Sequence, residues 1–114
     1  MKFKFEDLII WQKGMDLGED MNVLSRTFPK DELYNLSSQL KRAADSIALN
    51  ISEGSILQSG PEYRKFLGYS IRSTAEVVTC LHKAKRRNYL TEEVFLKYYK
   101  DCFDIMNNDD SIQK

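Results

Sequence analysis

Residues Asp31 to Gly54, DELYNLSSQLKRAADSIALNISEG, place apolar side chains at Leu33, Leu36, Leu40, Ala43/Ala44, Ile47 and Ile51, every third or fourth position. That spacing is the period of an α-helix with one buried face, whereas a half-buried strand would alternate at every second residue. Three other segments carry matching stripes. The first, about 7–26, aligns Leu8, Trp11, Gly14/Met15, Leu17/Gly18, Met21 and Leu24. Another, about 61–87, aligns Tyr63, Phe66/Leu67, Ser70, Thr74, Val77/Val78, Leu81 and Ala84. The last, about 92–107, aligns Val94, Phe95, Tyr98, Cys102, Ile105 and Met106.

The residues between these stripes punctuate them. Asp7 is the expected N-cap of helix one, because its carboxylate can accept the free amide hydrogens of a first turn. Phe28-Pro29 ends that helix, since the residue before proline avoids helical torsions and proline donates no hydrogen bond. Asp31 and Glu32 then favour the positive end of helix two, expected over about 32–54 and ended by Gly54, with Ser55 to Gly60 as the linker. Ser59-Gly60-Pro61-Glu62 reads as a capping box for helix three, Asn88 as its left-handed stop, and Thr91-Glu92-Glu93 as the start of helix four. Residues 107–114 are polar and expected to fray. Four amphipathic helices joined by short turns predict one all-α domain over 1–114, an antiparallel up-down-up-down four-helix bundle.

Gly14 and Gly18 cost helix propensity, about 1 kcal/mol each relative to Ala, so close approach of a neighbouring helix is expected to compensate. Asp16, Glu19, Asp20 and Lys13 around them exclude a membrane dimerisation motif. No apolar run approaches the roughly 20 residues that cross a bilayer, and the opening MKFKFED lacks the apolar core of an export signal. A cytoplasmic protein without membrane contact is expected. Cys80 and Cys102 both fall in helical patterns, which favours buried free thiols over a disulfide.

Candidate chemistry is sparse. A di-metal carboxylate bundle needs two Glu-x-x-His motifs, and His82 is the only histidine among the 114 residues. It is expected at the surface or an edge beside Lys83. Neither cysteine has a recognisable basic partner, and no glycine-rich phosphate loop is present, so no catalytic residue, metal or cofactor is expected. Seventeen basic residues balance seventeen acidic ones, which leaves no general field toward nucleic acid or an anionic surface. Locally the charge is polarised: residues 58–90 hold seven cations against two acids, and residues 91–114 hold three against six. Arg64, Lys65, Arg72, Lys83, Lys85, Arg86 and Arg87 are therefore the candidate nucleic-acid-binding set. The alternative is that the cations near the end of helix three offset its dipole and pair with the acids of helix four. Trp11, Tyr63, Phe66 and Phe95 are expected in the core. Tyr34, Tyr69, Tyr89 and Tyr99 fall partly off the stripes and, with the glycine pair of helix one, motivate a homo-oligomer.

The phrase from Phe28 to Gly54 resembles the bacterial four-helix-bundle family encoded by intervening sequences within 23S ribosomal RNA genes. The residues that carry the likeness are Phe28-Pro29, Glu32, Leu36, Gln39, Arg42-Ala43-Ala44, Ser46-Ile47, Asn50-Ile51 and Glu53-Gly54. FEDLIIWQKGMDL is similar to the family's first helix, and STAEVVTCL, with Glu76, to its Ser-x-x-Glu stretch. The resemblance implies an all-helical bundle that assembles as a ring-like pentamer with no established catalytic activity. A related branch, the accessory variability proteins of diversity-generating retroelements, is markedly basic and works with a reverse transcriptase and its RNA; this chain departs from it in having no net charge.

Positions 42, 46, 50 and 53 share one helix face, so the motif residues Arg42, Asn50, Glu53 and Gly54, with Glu76, are a candidate polar cluster in the core or at a subunit seam. The function expected is that of a non-enzymatic self-assembling bundle, a scaffold or adaptor for structured RNA, ribosomal or retroelement, and its protein partners. The alternatives are a protein-protein adaptor without RNA contact and an enzyme with a polar site at a subunit seam.

Overall fold

The computed structural model describes residues 1–56 and 59–107. These form four α-helices, α1 (Ile9–Ser25), α2 (Leu36–Ser55), α3 (Gly60–Arg86) and α4 (Glu92–Met106), with two short 3-10 turns at Lys4–Asp7 and Lys30–Glu32 and no strand. Linker positions 57 and 58 and the tail from 108 lie outside the described residues.

α2 packs along α1 and α3, and α4 joins the cycle by packing on α3 and α1. Leu40, Ala44, Ile47 and Ile51 from α2 are fully buried with Met21 of α1, Val77 and Leu81 of α3 and Cys102 of α4. Removing each large apolar side chain from water contributes roughly 1.5–3 kcal/mol. All four helices thus share one contiguous core.

Small residues bring α2 and α3 together, and their hydroxyls are satisfied locally. Ser46 and Ser73 are hydrogen-bonded across the two helices, Ser70 Oγ donates to the Ile47 carbonyl at 2.9 Å, and Thr74 Oγ1 donates to the Ser70 carbonyl at 2.8 Å. No buried side-chain nitrogen or oxygen among the described residues lacks a partner. The glycines do related work. A Cβ on Gly14 would stand 3.0 Å from Ile47 Cγ2 and 3.4 Å from the Ala48 nitrogen, which is the close helix approach expected there. Gly18 is looser, at 3.5 Å from Asp45 Oδ1. Both glycines therefore serve α1 against α2 within one chain and are no argument for an oligomer.

Several local expectations need correction. Asp7 does not cap α1: it lies in the first 3-10 turn, its carboxylate takes the Lys2 ammonium at 2.7 Å, and Leu8 occupies the N-cap position without a side-chain bond. α2 starts at Leu36 rather than near 32, because the amides of Glu32, Leu33 and Asn35 bond three residues back to Pro29, Lys30 and Glu32. Leu33 is consequently exposed instead of opening the core stripe. Met15, also expected inward, is exposed, and Ile10 is buried in α1.

Gly54 does not stop α2, which continues through Ser55. Its role is close packing, since a Cβ there would meet Phe66 Cβ at 2.7 Å and Tyr63 Cδ1 at 3.1 Å. Other signals are as expected. Ser59 Oγ accepts the Glu62 amide, so the cap forms without the return bond from the Glu62 side chain that a full capping box would add; Thr91 Oγ1 accepts the Val94 amide, and Asn88 takes the left-handed conformation with φ 64°.

Candidate interaction surfaces

The most connected polar group lies where two helix junctions meet. Glu32 is only 6% exposed, and its Oε2 accepts from Arg87 Nη1 at 2.8 Å and from the Tyr89 hydroxyl at 2.7 Å, while Asn35 Nδ2 donates to Oε1 at 3.0 Å. The Tyr89 hydrogen bond, with help from Asn35 and Arg87, holds the Glu32 carboxyl below its ordinary range. The same bond raises the Tyr89 phenol. Phe28 stacks beside them, 5.4 Å from the Tyr89 ring, so the α1–α2 and α3–α4 connections are tied together at one end. Glu32 was expected to serve the helix dipole; its partners stand 55 and 57 residues away, and no local pattern announces them.

The motif cluster does not form a buried network within the chain. Arg42, Glu53 and Glu76 are exposed, and Asn50 Nδ2 donates to the Ser46 carbonyl of its own helix at 2.8 Å. No described hydrogen bond or ion pair joins the four to one another. Glu76 instead lines a groove of about 400 Å³ between α2 and α3, together with Gln39, Arg72 and Lys83. Arg42 and Glu53 follow Gln39 along α2 at helical spacing, so the polar motif residues mark one side of the molecule.

The seven candidate cations are not one patch. Arg64 and Arg86 are 22 residues apart on α3, about 33 Å at helical rise. Lys85 is taken by Glu92 at the start of α4 and lies 4.6 Å from the Phe95 ring centre, and Arg87 is taken by Glu32. The pairing of helix-three cations with helix-four acids thus holds for Lys85. Arg64, Lys65, Arg72, Lys83 and Arg86 are exposed, Arg72 with its guanidinium 5.4 Å from the Tyr69 ring centre.

Beyond its core residues, α4 carries a second apolar stripe. Leu96, Tyr99 and Phe103 are 52%, 38% and 58% exposed, and Tyr99, Phe103 and Met106 line a groove of about 290 Å³ with Ala75, Val78 and Thr79 of α3. The spacing of three, four and three residues from Leu96 to Met106 is readable in the sequence, where Met106 reads as part of the inward stripe and Tyr99 as partly off it. On the far side of α4, a recess of about 250 Å³ against α1 is lined by Asp16, Asp20, Asp101 and Asp104, with Lys13. Burial first, and then the Asp20 charge, raise the Asp101 carboxyl.

The remaining candidates are structural. Cys80 and Cys102 are buried free thiols; burial raises the first and pushes the second up to about 12. His82 is exposed beside Phe95, with ring centres 4.9 Å apart. Phe95 is buried as expected, Trp11 and Tyr63 are half-buried against the core, and Phe66 is half-buried beside Tyr69. Tyr34 is 92% exposed, whereas Tyr89 is engaged internally rather than offered to a partner. Among the described residues no group of three or more His, Cys, Asp or Glu is placed to hold a metal ion, and no helix is long and apolar enough to cross a membrane.

What these residues build is a four-helix all-α protein whose distinctive features are surfaces: a polar groove, an acidic recess and an uncovered apolar stripe. The family profile described as 23S rRNA-intervening sequence protein matches residues 6–108, and the chain belongs to that family. Among solved structures, it is similar to a protein of unknown function from the S23 ribosomal protein family of Bacteroides thetaiotaomicron, at 22% identity and a TM-score of 0.85, covering 93% of this chain and 99% of that one. That likeness shows the fold. Comparison with curated proteins finds no significant match.

Proposed function

We propose that this protein is a non-enzymatic, self-assembling interaction protein: an antiparallel up-down-up-down bundle that forms a ring-like homo-oligomer, a pentamer by family resemblance, and acts in the cytoplasm as a scaffold or adaptor. The observation that carries this reading is the uncovered stripe of Leu96, Tyr99 and Phe103 on α4. Contiguous exposed apolar area bordered by polar residues is the usual mark of an interface. Light scattering of the purified chain at micromolar concentration tests it. A mass several times that of one chain is expected, and a monomer mass removes the reading.

Contact with structured RNA is the second reading, favoured by Arg64, Lys65 and Arg86, which stand exposed without an ion pair among the described residues. Charge reversal at these three should abolish co-purifying RNA, read as an ultraviolet absorbance ratio, and rising salt should weaken binding steeply. RNA retained equally by the reversed chain removes this part and leaves a protein-protein adaptor.

A further inference from the structure

Of the four helices, α4 buries the smallest share of its residues. Phe95, Cys102 and Ile105 are buried out of fifteen, where α2 buries nine of its twenty. Less apolar area removed from water gives a weaker hold on the rest of the chain. Charge also opposes the contact of α4 with α1. Leu17 and Ile105 meet in the recess between these helices among Asp16 and Asp20 of α1 and Asp101 and Asp104 of α4, with Lys13 the one cation of the lining. Burial first, and then the charge of Asp20, raise the Asp101 carboxyl against the pull of Lys97 and Lys100. Like charges on facing helices work against docking.

The other three helices are joined independently of α4. α2 packs along both α1 and α3, and Glu32 fastens the end of α3 to the α1–α2 connection through Arg87 and Tyr89. The Tyr89 amide also donates back to the Ala84 carbonyl at 2.9 Å. These anchors stop at Tyr89. Leu90 and Thr91 then lead into α4, whose first turn is tied to α3 by the part-exposed pair of Glu92 with Lys85. Exposed pairs of that kind hold weakly.

We propose that α4 is a lid: it lifts as a unit about Leu90 and Thr91 while α1, α2 and α3 stay folded, and the aspartates facing each other across the α1–α4 contact set how often it lifts. Lifting frees Phe95 and Ile105 beside the already exposed Leu96, Tyr99 and Phe103 and uncovers Leu17 of α1, so the open chain presents more apolar surface than the closed one. The inference goes beyond the self-assembly reading and does not rest on it, since every contact it invokes lies within one chain.

Cys102 reports the motion. In the closed chain its thiol is fully buried and therefore unreactive; lifted with α4, it meets solvent. The folded chain is treated with N-ethylmaleimide, and modification of Cys102 is followed by peptide mass. Labelling should run at least roughly tenfold faster than global unfolding, measured by denaturation, allows. Asp16→Asn with Asp20→Asn should slow it roughly threefold, a gain of closure that mere damage does not produce. Phe95→Leu, near the start of α4 and about 10 Å along the helix from Cys102, should speed it. Gly54→Ala, which crowds α2 against α3, should lower global stability yet leave the labelling unchanged.

Labelling at the rate of global unfolding, or speeded by Gly54→Ala in step with the loss of stability, overturns the lid. Labelling indifferent to Phe95→Leu is fraying from the far end of α4 and overturns it equally. Labelling indifferent to the two asparagines overturns the part given to the aspartates. Circular dichroism checks that each variant folds, and because Asp16 and Asp20 are exposed, their arm decides the matter even where Phe95→Leu does not fold.

Discussion

The α2–α3 contact and the outer surface of α4 are built on opposite principles. Between α2 and α3, small residues let the backbones close up, and each buried hydroxyl finds a partner on its own or the facing helix. Gly54 shows how tight the contact is, with Phe66 Cβ where its own Cβ would need to be. On α4, Phe95, Cys102 and Ile105 are buried, yet Leu96, Tyr99 and Phe103 on the same helix remain in water. The lesson is that the first region buries its small and apolar side chains within one chain, whereas α4, packed on α3 and α1, keeps three large apolar side chains exposed.

Substitutions can break or sharpen this contrast. The largest effect should follow Ile47→Ala, which empties a fully buried position on α2 and should cost about 2–5 kcal/mol in chemical denaturation. Phe103→Ala, exposed on α4, should leave that midpoint nearly unchanged while lowering the assembled mass; equal losses at the two sites would erase the distinction.

Gly54→Ala should cost about 1–3 kcal/mol, because the new Cβ would overlap Phe66 Cβ rather than the far end of a flexible chain. Unchanged thermal unfolding in that variant would show the contact to be looser than a 2.7 Å separation implies.

An electrostatic effect comes next in size. The Glu32 carboxyl sits below its ordinary value of 4.5, chiefly through the Tyr89 hydrogen bond. A depressed carboxylate stabilises the fold above its unfolded pKa, and that contribution is lost as pH falls through the folded value. Melting temperature should therefore drop more steeply in the natural chain than in Glu32→Gln as pH falls from about 5 toward 3. Parallel profiles would mean that the junction does not depend on the charge of Glu32.

The smallest effect should be a gain. Gly68 sits within α3, and a Cβ there meets nothing within 4 Å, so Gly68→Ala should stabilise by about 0.5–1 kcal/mol. A loss would imply a close approach on the outside of α3, as in an assembled neighbour, and would be worth comparing at two protein concentrations.

The positions of α2, α3 and α4 and the inward residues from Leu36 to Ile51 were readable from periodicity, as were the caps at Ser59 and Thr91 and the left-handed Asn88. Each depends on neighbours within about one helical turn, so local sequence carries the information. The carboxylate of Glu32, the packing role of Gly54 and the exposure of Arg42, Glu53 and Glu76 were not readable in that way. Glu32 looked like a helix-start acid because both roles ask for the same residue, and only the arrival of Arg87 and Tyr89 from the other end of the chain distinguishes them. Gly54 looked like a stop for the same reason, until Tyr63 and Phe66 came to rest against it. Chain order by itself determined which residues turn a helix and which stripe faces inward, because those preferences act over a few residues. Tertiary structure alone decided which charges met, which glycine was crowded and which apolar stripe was left uncovered, because those outcomes depend on atoms brought together from dozens of residues apart.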